Sequence, residues 1–160
     1  MTKPFNHPLE VGIRALAILI EAYPTPLDLQ YLVFFDYITI HSNDFGGAES
    51  LHAPLPMRSG EFSIKRDLIE RGLFLMMSKD LVERLSLSSG FAYKASDSAN
   101  TFFSMLTTPY VLGLKERAKW VIDTYGDKTP EELSELERSI ISQREHHFYE
   151  SFPPQRDGRV

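Results

Sequence analysis

Residues 67–95, DLIERGLFLMMSKDLVERLSLSSGFAYKA, join the end of a helical pattern to two alternating segments. Apolar residues recur at helical spacing over 61–78, which predicts an amphipathic helix. Residues 80–87 then alternate between polar and apolar, and after a Ser-Ser-Gly turn residues 91–95 do so again, which predicts a β-hairpin. A helix that runs into a hairpin is typical of the winged helix-turn-helix fold, in which the hairpin is the wing.

Two helices are predicted before this stretch. Apolar spacing indicates a first helix over 9–22, which Pro24 ends. A second helix is predicted from about Pro26 to His41, with Thr25 as its cap and proline at its first position. The second helix is so apolar that it is either the central core helix or part of an interface. Exposed aromatic side chains, which would favour self-association, are expected around Phe34, Phe35 and Phe45.

A nineteen-residue loop, 42–60, separates the second helix from the third. Its glycines and prolines disfavour regular structure, and loops of this length are usually functional or disordered. After the hairpin, helices are predicted over 97–106 and 109–125. Thr129, followed by Pro-Glu-Glu, is a strong start for a last helix that reaches about Tyr149.

The predicted fold class is therefore mainly α with a small β-hairpin: a winged helix-turn-helix with a long inserted loop and extra C-terminal helices. We expect a winged-helix-like domain over 6–126, with loop 42–60 inserted between its second and third helices. An acidic helix over 127–150 carries a net charge of -4, from seven acidic and three basic residues. A flexible tail over 151–160 is expected to follow.

Composition excludes several classes of protein. A chain of 160 residues suits one domain, and the absence of cysteine excludes disulfides, thiolate zinc sites and a cysteine nucleophile. The net charge of -5 disfavours a general nucleic-acid coat. The first apolar stretch is short and contains Arg14 and Glu21, so it predicts neither a membrane span nor a signal peptide and favours a cytoplasmic protein.

A winged helix raises the alternative of a DNA-binding transcription regulator. Residues 61–84, the candidate recognition helix and first wing strand, contain five basic and five acidic residues. Phosphate contacts require an uncompensated positive face, so this balance favours protein contacts. A local patch of Lys65, Arg66 and Lys94 is the candidate DNA contact.

A metal-dependent hydrolase is the third alternative, because histidine and aspartate are metal ligands and several lie near the long loop. Asp36, His41, Asp44 and His52 supply these side chains, but their spacing matches no compact metal motif. Polar residues in such loops more often bond the backbone of the loop itself. The sequence also contains no phosphate-binding loop and no nucleophile elbow. With the unmatched spacing of the possible ligands, we therefore predict neither a metal nor a cofactor.

Three segments in the first part of the chain resemble the middle component of bacterial ABC three-component systems, over roughly residues 6–125. The most specific part is the His-Ser, Gly-Gly, Ser-Leu-His and Pro-Leu-Pro series of the long loop. The resembling residues are Asn6, Pro8–Gly12, Arg14, Ala15, Pro26–Gln30, Leu32, Val33, Asp36, Tyr37, His41, Ser42, Asp44, Gly46, Gly47, Glu49–His52, Pro54–Pro56 and Arg58–Glu61.

The resemblance implies a non-enzymatic accessory subunit of an antiphage defence complex, similar to Lamassu-type systems. Such a subunit would bridge an SMC- or Rad50-like ABC ATPase and an effector, often a nuclease, and would reach DNA through the complex. It would use loop 42–60 as its docking surface. The residues expected to shape this partner contact are Asp36, His41, Asp44, His52 and Arg58.

Overall fold

The protein is mainly helical with one small hairpin, as the sequence predicts. The computed structural model describes residues 7–52 and 59–151. The elements in chain order are α1 (Pro8–Ala22), α2 (Leu29–Ile40), a 3-10 helix (Ser42–Phe45), α3 (Ser59–Ser78), β1 (Val82–Leu87), β2 (Gly90–Ala95), α4 (Ala99–Ser104), α5 (Pro109–Tyr125) and α6 (Pro130–Ser151).

Helix α2 is the centre of the fold. Every residue from Leu32 to Ile40 is buried, so the helix is enclosed on all sides. Helices α1, α3, α5 and α6 pack around it. The expected exposure of Phe34 and Phe35 is wrong, because both rings lie in the core with at most 2% of their surface exposed. Phe45 is partly buried against the core as well, so these three aromatics do not form an exposed contact surface.

The start of α2 differs from the sequence prediction. Asp28, not Thr25, caps the helix, and its carboxylate accepts a hydrogen bond from the amide of Tyr31 at 3.0 Å. The chain before the cap is extended because Leu27 pairs with Tyr93 of β2 through two backbone hydrogen bonds of 2.8 Å. A residue in a strand-like pair cannot also belong to the first helical turn, which explains the later start.

The hairpin pairs β1 with β2 in antiparallel register, from Val82 opposite Ala95 to Leu87 opposite Gly90. Leu27 adds a third strand position beside β2. Helix α3 leads directly into the hairpin, so the arrangement is compatible with a winged helix. The long loop is shorter than predicted, because residues 42–45 form a 3-10 helix and α3 already begins at Ser59.

The predicted start of the last helix is confirmed in detail. The amide of Glu132 donates to the Thr129 hydroxyl, and the amide of Thr129 donates to the Glu132 carboxylate, each at 3.2 Å. This reciprocal pair is a capping box. Leu133 and Ile140 of α6 are buried in the core. Of the predicted tail over 151–160, Ser151 is the last residue of α6 and the rest lies outside the described residues.

Helices α1 and α3 touch at two glycines. A Cβ atom added to Gly12 would lie 2.7 Å from the carbonyl oxygen of Gly72. A Cβ atom added to Gly72 would lie 2.6 Å from the amide nitrogen of Gly12. Neither backbone can move aside without shifting a helix, so both positions require glycine for this close approach.

We therefore predict that Gly72→Ala destabilises the protein although alanine favours helix formation. Overpacking of this kind costs about 1–3 kcal/mol, which exceeds the gain of about 1 kcal/mol from helix propensity. The free energy of unfolding, measured by chemical denaturation, checks this. Gly113→Ala is the matched control, because its Cβ would closely approach only the end of the flexible Arg117 side chain, with Leu51 Cδ2 at an ordinary contact distance of 3.5 Å. Equal stability of the two variants would contradict the close approach of α1 and α3 at Gly12 and Gly72.

Candidate functional site

A buried cluster of charges joins three helices. Asp36 of α2 is 1% exposed, and its carboxylate receives hydrogen bonds from Arg14 of α1. Arg14 Nε lies 2.7 Å from Asp36 Oδ1, and Arg14 Nη2 lies 3.3 Å from Oδ2. Lys65 of α3 places its Nζ 3.1 Å from Oδ2. One carboxylate thus binds two cations from different helices.

The electrostatics of the cluster follow from its burial. Desolvation alone would raise the pKa of Asp36, but the positive charges of Arg14 and Lys65 hold the pKa of this carboxyl well below its usual range. Desolvation would likewise lower the pKa of Arg14, and the attraction of Asp36 outweighs it, so the pKa of Arg14 is raised. Asp36 and Arg14 are therefore both charged at neutral pH.

Tyr110 and His52 extend the cluster towards the long loop. The Tyr110 hydroxyl of α5 hydrogen-bonds Arg14 and also lies 3.0 Å from His52 Nε2. Burial, helped by the charges of Arg14 and Lys65, lowers the pKa of His52 to about 4. His52 is consequently neutral at pH 7. We call the five side chains the Asp36 cluster; its members are Arg14, Asp36, His52, Lys65 and Tyr110.

Helix α5 also holds the loop that ends at His52. The guanidinium of Arg117 donates two hydrogen bonds to the carbonyl oxygen of Glu49, at 2.8 and 2.6 Å. A Cβ atom added to Gly47 would lie 2.8 Å from the ring of Trp120, so the loop backbone passes close over this side chain. The amide of His52 donates to the carbonyl of Ile40 at 3.1 Å, which returns the loop to the end of α2.

The predicted partner-binding residues occupy different environments. Asp36 and His52 belong to the Asp36 cluster, whereas His41 is buried at the end of α2 with its ring 4.7 Å from that of Tyr37. Asp44 is exposed on the 3-10 helix. Arg58 lies outside the described residues. In the part of the chain that the structure describes, no three histidine or acidic side chains are grouped to hold a metal ion.

The three candidate DNA-contact residues also lie in different environments. Lys65 is bound to Asp36 and lies 5.5 Å from the centre of the Tyr37 ring, so its charge is largely used inside the protein. Arg66 is exposed. Lys94 of β2 lies over the ring of Tyr23 at 5.6 Å. The structure therefore does not favour binding of DNA phosphates by these three residues.

Two members of the Asp36 cluster, Arg14 and Tyr110, were not among the candidates from sequence. The sequence does contain a signal for Arg14. It is the one arginine of the apolar helix α1, as Asp36 is the one aspartate of the apolar helix α2, and such residues suggest a buried ion pair. Tyr110 has no such signal. Its position depends on how α5 packs against α1, which helical spacing does not reveal.

The family model of the ABC-three component (ABC-3C) system Middle Component 2 matches residues 4–147. The chain belongs to this family. As a middle component of a three-component system, it has partner proteins. The match reaches most of α6, which the sequence resemblance leaves out.

No curated protein and no solved structure matches the chain significantly. None of the described helices is both long and apolar enough to cross a membrane. The residues of the resembling sequence segments supply Arg14, Asp36 and His52, so the cluster lies largely within the part of the chain that carries the resemblance.

We predict that Asp36→Asn strongly destabilises this middle component, because it leaves the buried Arg14 and the partly buried Lys65 without a counter-charge. Removing one partner of a buried ion pair costs about 3–5 kcal/mol. Asp123→Asn is the control, since its ion pair with Lys119 is exposed and should contribute nothing measurable. Denaturant titration gives both values. If Asp36→Asn lowered the free energy of unfolding as little as the control, the Asp36 cluster would not be important for stability.

The pKa of His52 gives a prediction about pH. Its ordinary value of 6.5 applies to the unfolded chain, whereas the folded protein lowers it to about 4. Between these values the unfolded chain binds the proton more readily, so stability should fall as the pH drops from 6.5 towards 4. Titration of the His52 ring resonance by NMR measures the folded pKa directly. A midpoint near 6.5 would show that the ring is not desolvated, and His52→Gln should flatten the fall in stability.

Proposed function

We propose that the protein is a non-enzymatic accessory subunit that bridges an SMC- or Rad50-like ABC ATPase and an effector, such as a nuclease, in a bacterial antiphage complex. The observation that carries this proposal is the family match over most of the chain. A middle component functions among other components, and bridging two of them is the role that such a position favours.

The structure supports a scaffolding role through the way in which its charges are used. Asp36 is ion-paired with both Arg14 and Lys65 in the interior, which suits the joining of helices better than chemistry on a substrate. Tyr110 links the same cluster to His52, at the end of the described part of the loop. The cluster thus fixes the loop to the body of the protein.

Loop 42–60 is the proposed contact with a partner. Within it, Asp44 is exposed on the surface, whereas Asp36, His41 and His52 are proposed to shape the loop from the inside. Hydrogen bonds from Arg117 to Glu49 hold the backbone in place, so residues 42–52 of the loop would present a preformed surface. Preformed surfaces bind without the entropic cost of ordering a segment.

Co-expression with the genes on either side of this one tests the proposal. We expect the chain to elute as one complex with the ABC ATPase and the effector on size-exclusion chromatography. Proteins that elute separately, both with and without ATP and DNA, would contradict the bridging role. In the same assay Asp44→Lys should weaken the complex, whereas Glu116→Lys, which reverses an exposed charge on α5, should leave it unchanged.

A further inference from the structure

A patch of three exposed side chains lies where α3 meets the hairpin. The Arg84 guanidinium carbon of β1 is 4.4 Å from the centre of the Phe91 ring and 5.9 Å from that of Phe74. Phe91 of β2 is 53% exposed and Phe74 of α3 is 43% exposed. We call these three residues the Arg84 patch. Two aromatic rings and a cation are thus presented to solvent together.

The strand register explains why these side chains meet. Arg84 is opposite Tyr93, and Ser86 is opposite Phe91, so Arg84 and Phe91 are diagonal neighbours on one face of the hairpin. Glu83 and Lys94 are opposite each other, and because side chains alternate along a strand they lie on the other face. The acidic neighbour of Arg84 in sequence is therefore turned away from the patch.

The charge of Arg84 is not neutralised by any described carboxylate. Arg84 forms no ion pair among the described residues, whereas Arg14 is bound to Asp36 in the core. Arg84 also hydrogen-bonds Tyr93, whose pKa is raised because burial and the charge of Glu70 outweigh the opposing effect of Arg84. The guanidinium is consequently held in place by two rings while its charge remains available.

We propose that the Arg84 patch binds an apolar segment of another protein component that presents a carboxylate to Arg84. Exposed aromatic rings that flank a positioned arginine are typical of the centres of protein interfaces. Arginine binds a carboxylate through its planar fork, and burial of the rings would exclude water from that pair. This inference rests on the proposed function, because it names a second surface for the partners of the middle component.

The charges near the Arg84 patch favour a protein over a nucleic acid as its binding partner. Aromatic rings with a cation also suit single-stranded nucleic acid, but binding then requires several uncompensated cations along the backbone. Residues 61–84 contain five basic and five acidic residues and are neutral together. A single carboxylate needs only one free guanidinium, and the Arg84 patch provides it.

The test uses the full chain and the two other components of its system, produced from the neighbouring genes. Phe91→Ser and Arg84→Glu should each weaken the complex about tenfold or more, measured as the dissociation constant. Matched controls are Met105→Ser, at a residue that is 73% exposed, and Arg138→Glu, at an exposed arginine of α6. Both controls should bind as the native chain does. Thermal unfolding verifies that each variant remains folded.

A second measurement identifies the occupant without relying on loss of binding. A photoreactive benzophenone amino acid at position 91 should form a crosslink to one of the two components, whereas the same group at position 105 should not. Native affinity of the Phe91→Ser and Arg84→Glu variants would overturn the inference while leaving the proposed function intact. Crosslinks only between copies of this chain, or weakened binding to single-stranded DNA alone, would also overturn it. Absence of any complex with the native chain would refute the proposed function itself.

Discussion

The burial of one carboxylate constrains the whole arrangement of helices. Asp36 is enclosed in the most apolar helix of the protein, where an unpaired charge would be very costly. Arg14 must approach from α1 and Lys65 from α3, so the rotation of both helices around α2 is fixed by their side chains. The contact between Gly12 and Gly72 lets α1 and α3 come close enough for both cations to reach the same carboxylate.

Much of the fold is predictable from local signals, because caps, prolines and alternation act over a few residues. The capping box at Thr129, the hairpin and the start of α5 at Pro109 are of this kind. The start of α2 is not, since it depends on pairing between Leu27 and Tyr93, which are far apart in the chain. The burial of Phe34 is not predictable either, because periodicity does not identify the helices that cover this ring.

The candidate site shows the same division. Asp36 and His52 are recognisable as polar residues at unusual positions, yet their partners Arg14 and Tyr110 come from helices whose contacts the sequence does not reveal. Lys65 is a clear example, since as a sequence position it suggests a contact with DNA and in the structure it binds Asp36. Family membership gives this geometry a context, because a core held by buried ion pairs is consistent with the accessory role proposed for the middle component.

Hydrogen exchange of the free chain and of the complex with its two partner components measures whether the core forms before assembly. If the core around Asp36 is complete before assembly, the amides of α2 should be equally protected in both states. Added protection on assembly should be confined to surface elements, which are the loop before His52, the end of α3 and the hairpin. Weak protection of α2 in the free chain that rises on assembly would contradict the account, because the core would then form only on binding.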